Sequence, residues 1–256
     1  PDLACAQLIG RGQVGYLGKE RQARDNTMLF TSVLRDLDRE GKGGVIVQLD
    51  NSAAFDRVRW DFMGELLEAF GFPEDVQGLV RAMYNGIGFR TKVNGKVGER
   101  REATNGVRQG CGASPLLYIL VQEALLISLR GRRRLKGLQV GQDRDRTHTR
   151  AFEERLVRRG EGRILERCLA DDTMVYLQHV EEVPKLFEIL RQYELASGQA
   201  LNASKSVAIL VGEAKYQCLP CDAQIKYARY GEEEIEESLG ITAASGAELR
   251  EQMERR

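Results

Sequence analysis

The sequence predicts an α+β fold, and three observations carry that expectation. Apolar residues recur at helical spacing in several separate stretches. Short apolar runs of strand length lie between them. The two kinds of segment mix without the strict alternation that builds a doubly wound parallel sheet. No internal period is present, so the chain is not a repeat array.

Met28, Leu29, Val33, Leu34 and Leu37 predict a helix over 26–40, with Asp25 as its cap and Gly41, Gly43 and Gly44 ending it. A buried strand follows over 45–49. "WDFMGELLEAFGFP" (60–73) predicts a helix stopped by Gly71 and Pro73, and a second helix runs to Tyr84 with Val76, Leu79, Val80 and Met83 inward. "FRTKVNGKVGER" (89–100) alternates about Asn94-Gly95, a strong hairpin signal. Ser114-Pro115 caps and starts a helix to about Leu129. The polar, Arg-rich stretch 141–163 reads as a loop insertion. A strand pair around Asp171-Asp172, a helix over 181–196 closed by Gly198, and a strand over 206–212 complete the ordered pattern. From 213 the signals are weak, with a helix expected near 246–256.

Hydrophobic content of 42% and charged content of 30% are those of an ordinary globular chain. Thirty-eight basic residues balance 38 acidic ones, so bulk charge does not favour nucleic acid. The basic run 130–136 and the acidic run 232–237 read as solvated faces. No apolar run approaches the roughly 18 residues of a membrane span, so no membrane partner is expected. Gln122 and Glu123 interrupt the longest one, which reads as a buried helix. Five cysteines without a secretory leader point to an intracellular setting, nucleus or cytoplasm. Cys218 and Cys221 form a lone CxxC beside only two histidines, which makes a weak zinc site.

Three carboxylates stand out. Asp50 ends the apolar run "GGVIVQLD", and Asp171 and Asp172 follow a second strand-like segment in "CLADDTMVYL". Carboxylates at strand ends are held rigidly, and three together suit hard divalent cations. A pair of such ions clamps the attacking and leaving oxygens of a phosphoryl transfer, so nucleotidyl transfer is the expected chemistry.

"VQLDNSAAFDRVRW" (47–60), "NGVRQGCGASPLLYIL" (105–120), "LADD" (169–172) and "SGQALNASKS" (197–206) stand in the order and approximate spacing of a reverse transcriptase. They resemble those of non-LTR (LINE-type) retrotransposons. "QVGYLGKERQARDN" (13–26) resembles the Gln-x-Gly-Phe…Arg…Asp-Asn block that precedes them. The resemblance implies a right-hand polymerase fold whose palm is an antiparallel sheet backed by helices. It implies partial fingers over 1–44, a palm over 45–212 with a fingers-like insertion at 60–105 and the loop insertion at 141–163, and the palm's end and start of a thumb over 213–256. The thumb would be largely missing.

It further implies RNA-directed DNA polymerase activity with two Mg²⁺, or Mn²⁺ in their place. The partners would be an RNA template, a DNA primer or target, and deoxynucleoside triphosphates. Asp50, Asp171 and Asp172 would hold the metals. Phe55 would lie under the incoming sugar and exclude a 2′-hydroxyl. Arg108, Gln109 and Gly110 would border the nucleotide, and Lys205 would donate a proton to the leaving pyrophosphate. "SLGI" (238–241) resembles a block near the primer grip.

Departures from the family pattern are Leu169 for the usual Tyr, Gly112-Ala113 for Pro-Leu, and the charged pair Glu166-Arg167 in what should be an apolar strand. Those two charges predict a poor strand. A chain that starts at Pro1 and carries these changes is expected to be a truncated copy, feeble in extension. The alternatives are an inactive nucleic-acid-binding remnant and an RNA-dependent RNA polymerase.

Overall fold

A computed structural model of the chain describes residues 8–16, 21, 23–131, 135–139, 163–220 and 225–231. Nearly all of the insertion at 141–163, the block 238–241, Cys221 and the helix expected near 246–256 lie outside them.

Helix α1 (Ala23–Glu40) opens two residues before Asp25. That residue therefore sits in the first turn, where its charge suits the helix dipole, and is not the cap. Strand β1 (Gly44–Leu49) follows, then the short β2 (Asn51–Ser52), α2 (Trp60–Ala69) and α3 (Glu74–Tyr84). Strands β3 (Gly88–Phe89), β4 (Lys92–Val93), β5 (Lys96–Val97) and β6 (Arg101–Glu102) make an exposed arm. Its tip turns through Asn94 and Gly95, both left-handed, as Asn-Gly chemistry prescribes. Helix α4 (Ser114–Gly131) precedes β7 (Leu138–Gln139), β8 (Arg163–Ile164), β9 (Glu166–Leu169) and β10 (Asp172–Leu177). Helix α5 (Val183–Ser197), ended by left-handed Gly198, leads to β11 (Ala200–Leu201), β12 (Val207–Val211) and β13 (Lys226–Arg229).

Five strands form the central sheet in the order β13-β12-β1-β10-β9. The pairs β12-β1, β1-β10 and β10-β9 are antiparallel, and β13 joins β12 in parallel. Both faces are covered, which explains why β1 is apolar at nearly every position. Val45, Val47 and Leu49 pack with α2, α4 and α5. Ile46 points the other way, into Leu29, Phe30, Val33, Leu34 and Leu37 of α1. The molecule is thus a mixed α+β structure built on one central sheet.

Two further expectations are corrected, and one strand is new. Glu166 and Arg167 do form a strand, and both are buried in it. Glu166 is neutralised by Arg130, whose guanidinium also bonds Glu123, each at 2.7 Å. Helix α3 turns Gln77, Val80 and Tyr84 inward, while Leu79 is 63% exposed, because α3 rests on the rest of the fold along a narrow face. Strand β13 was not foreseen. As a short edge strand with exposed residues it carries little hydrophobic signal.

Candidate active site

The central antiparallel ladder delivers the carboxylates to one end of the sheet. In the β1–β10 register Leu49 lies opposite Thr173. Continued by one residue, it sets Asp50 across from Asp172, and partners directly opposite each other share a face of the sheet. Strands β9 and β10 close with Leu169 opposite Asp172, leaving Ala170-Asp171 as a two-residue turn. Ala170 has φ 57°, a left-handed conformation that costs an L-residue about 1–2 kcal/mol and that this kind of turn usually gives to Gly.

Asp172 feels both of the other acidic groups. Burial raises the Asp172 carboxyl above the usual carboxylate range, and the neighbouring charges of Asp171 and Asp50 push it further. Among the described residues, no three or more His, Cys, Asp or Glu side chains are gathered closely enough to hold a metal ion. Mutual repulsion opposes a closer approach of three like charges. The donor chemistry nevertheless suits a hard divalent cation, because the set is all carboxylate oxygen.

The backbone under Asp50 is fixed from both sides. Its amide donates to the Ser206 hydroxyl at 3.0 Å, and its carbonyl accepts from the Asn202 amide at 2.8 Å. The Ser206 hydroxyl in turn donates to the Asn202 carbonyl at 2.9 Å. Lys205 sits exposed on this same 203–205 turn, so the turn that carries it is tied directly to Asp50.

Phe55 lies in a short 3₁₀ turn, Ala54–Arg57, entered through left-handed Ala53. Its ring stacks on Tyr118 of α4, with centroids 4.5 Å apart and planes at 15°. The Tyr118 hydroxyl accepts a long bond from Asn51, next to Asp50, at 3.5 Å. The 105–113 loop is pinned to the same turn, since Val107 N–H donates to the Phe55 carbonyl at 2.7 Å. Gly106, at φ 90°, runs so close to Asp56 that a Cβ would meet its backbone at about 2.8–3.1 Å. Gln109 reaches Asp56 at 3.4 Å, while Arg108 and Gly110 are exposed. A Cβ at Gly110 would meet nothing within 4 Å. The structure therefore brings Asp50 beside Asp172 and the 203–205 turn. It joins Phe55 to the loop of Arg108, Gln109 and Gly110.

Sequence reasoning missed the polar network beneath the acidic turn. Gln122 of α4 donates to Thr173 at 2.9 Å and contacts the Cys168 thiol, which also lies 3.0 Å from the Thr173 hydroxyl. Burial pushes that thiol up to about 12, so it stays a neutral donor. The visible signal was a glutamine inside an apolar helix. Ser206 left no comparable signal.

The sequence model of the family described as "Reverse transcriptase (RNA-dependent DNA polymerase)" matches residues 11–242. The "Transposon TX1 uncharacterized 149 kDa protein" of Xenopus laevis is 29% identical over 215 residues, covering 84% of this chain and 15% of that protein. The "Retrovirus-related Pol polyprotein from type-2 retrotransposable element R2DM" of Drosophila melanogaster is 30% identical over 216 residues, covering 84% and 18%. The chain thus spans less than a fifth of the length of these relatives. Among solved structures, apo telomerase from Candida tropicalis superposes with a TM-score of 0.52 at 13% identity, over 83% of this chain and 35% of that one. Telomerase from the same organism bound to a TWJ fragment of telomeric RNA gives 0.52 at 11%, over 81% and 32%. At such identity the likeness is one of fold.

Proposed function

The chain belongs to the reverse transcriptase (RNA-dependent DNA polymerase) family, of the LINE-type transposon kind, and on that premise we propose that it is the palm-centred catalytic module of an RNA-directed DNA polymerase. The observation that carries this reading is the β1–β10 register, which continued by one residue leads Asp50 to Asp172 beside the Ala170-Asp171 turn, where the charges of Asp171 and Asp50 raise the Asp172 carboxyl. In this reading the partners are an RNA template, a DNA primer and deoxynucleoside triphosphates, and Asp50, Asp171 and Asp172 hold Mg²⁺ or Mn²⁺. When bound, the divalent cations lower the cost of charge on the attacking and leaving oxygens.

The protein's own residues supply position. Asp50 is presented on a peptide fixed at both its N–H and its C=O, so little reorganisation is left for the reacting complex. Lys205 holds a proton on its ammonium for the leaving pyrophosphate oxygen. Phe55, braced by Tyr118, presents a rigid ring against the sugar, and a 2′-hydroxyl has no room beside it. Gly110 lets the nucleotide approach the backbone.

The test is incorporation of labelled deoxynucleotide on a primed RNA template with Mg²⁺ or Mn²⁺, beside an Asp171→Asn control. Extension lost in the control supports the reading. A chain that binds primer–template yet incorporates nothing would be the inactive remnant, and preferential ribonucleotide incorporation would make it an RNA polymerase.

A further inference from the structure

The segment 9–15 has no assigned role, yet its polar groups converge on the acidic turn. Gln13 is fully buried. Its Nε2 donates to the Ala170 carbonyl at 3.2 Å, and its Oε1 accepts from the Ala170 amide at 2.9 Å and the Gly15 amide at 2.8 Å. Only this orientation of the carboxamide satisfies two N–H donors and one C=O acceptor. One side chain thus holds both backbone polar groups of the residue that precedes Asp171.

The segment is built to deliver that side chain. Val14 N–H donates to the Cys168 carbonyl and Cys168 N–H to the Gly12 carbonyl, both at 2.9 Å, so residues 12–14 run parallel along the free edge of β9. At Gly15 a Cβ would come within 2.6 Å of the Ala170 nitrogen, so no side chain fits there. Arg21 donates to the carbonyls of Gly10 and Gln13 at 2.7 and 2.9 Å, and to that of Ile9 at 3.2 Å. Asn26 adds a bond to the Cys168 carbonyl at 3.2 Å. The turn needs outside support because its first residue is a left-handed alanine.

We propose that Gln13 is a positioning residue, a side-chain lock that holds Ala170 in its left-handed conformation and so sets the direction in which Asp171 and Asp172 leave the β9–β10 turn. The proposal rests on the reading of those carboxylates as cation ligands, and its test separates the two. Gln13→Met keeps the bulk and removes all three hydrogen bonds. Gln13→Glu keeps the acceptor for the Ala170 and Gly15 amides and loses the donor to the Ala170 carbonyl. Amide exchange is followed by NMR on the cation-free 256-residue chain, and Mn²⁺ binding by electron paramagnetic resonance of the free ion.

Loss of the amide's partner should speed exchange at Ala170 by roughly tenfold or more in Gln13→Met, with Val175 and Tyr176 in the adjoining strand unchanged. Gln13→Glu should keep that amide protected. Mn²⁺ affinity should fall several-fold in Gln13→Met. Unchanged exchange at Ala170, or an equal rise across Val175 and Tyr176, overturns the lock, because a merely structural role loosens the whole strand. If Gln13→Met does not fold, the exchange of Gln13→Glu decides, and an unprotected Ala170 amide there overturns it. A parent chain that binds no Mn²⁺ refutes the cation reading alone, since the exchange measurement still judges the lock.

Discussion

Replacing Asp172 by Asn should stabilise the chain in the absence of divalent cations. Asp172 stands across from Asp50 and next to Asp171. An opposed position places the Asp50 side chain about 5 Å from that of Asp172, and with the adjacent Asp171 carboxylate taken at about the same range, each of the two charge pairs costs roughly 0.8 kcal/mol in water. Physiological salt, with a Debye length of about 8 Å, roughly halves each, and the exposed side chain justifies no larger figure. Removing the charge should therefore gain about 0.8 kcal/mol, or roughly 2 °C of melting temperature for a domain of this size. The Asp172 carboxyl lies above its ordinary range in the folded state, so the folded chain holds its proton more tightly than the unfolded one does. Ionisation then disfavours folding, and the variant's advantage should grow as pH rises from about 3.9 through the folded value and vanish below it. Calorimetric melts at pH 7 and pH 3.5, with and without Mn²⁺, make the assay. Mn²⁺ should stabilise the parent more than the variant by mass action. A variant that melts below the parent without cation would refute the reasoning, because Asp172 would then be a structural partner and not a frustrated charge.

Ser206→Ala removes the acceptor of the Asp50 amide and should cost about 1–3 kcal/mol in urea unfolding, while Ser206→Thr, which keeps the hydroxyl, should cost less. Arg130→Met leaves Glu123 and Glu166 buried without their cation and should cost about 3–5 kcal/mol at pH 7. Burial already pushes the Glu123 carboxyl up, so the loss should shrink as pH falls toward its unfolded value near 4.3; a deficit independent of pH would point to lost packing instead. In the extension assay, Phe55→Val should raise ribonucleotide use relative to deoxynucleotide, and an unchanged ratio would return Phe55 to a packing role against Tyr118.

What the sequence revealed was what local chemistry determines. The Asn94-Gly95 turn, the Gly198 helix end and the buried strand before Asp50 each follow from a few adjacent residues, and each is present. The acidic residues were legible because a charge after an apolar strand has few structural uses. The Gln13 contacts were not, because they join residues 157 positions apart; the Gln-x-Gly pattern marked Gln13 and Gly15 as a block but carried no sign of which distant turn they meet. The Glu166-Arg167 strand was misjudged for a related reason. A charge looks wrong in a strand until its partner, Arg130 on α4, is placed beside it by the fold.

These features share a logic. Asp50 and Ala170 are gripped through their backbones by side chains remote in sequence, Ser206 in one case and Gln13 in the other. Each acidic segment is followed or preceded by an alanine in a left-handed conformation, Ala53 after Asp50 and Ala170 before Asp171. Strain of this kind persists only where the surroundings over-determine it. Among the described residues nothing comparable grips the carboxylates themselves; Asp50 and Asp171 are half-buried, Asp172 is exposed, and the charges of the first two raise the carboxyl of the third. Rigid peptides that present loosely held, unneutralised oxygens would bind poorly to another protein surface. In the proposed reading they suit an ion that would supply the missing charge and draw the oxygens in, with the backbone already in place to receive it.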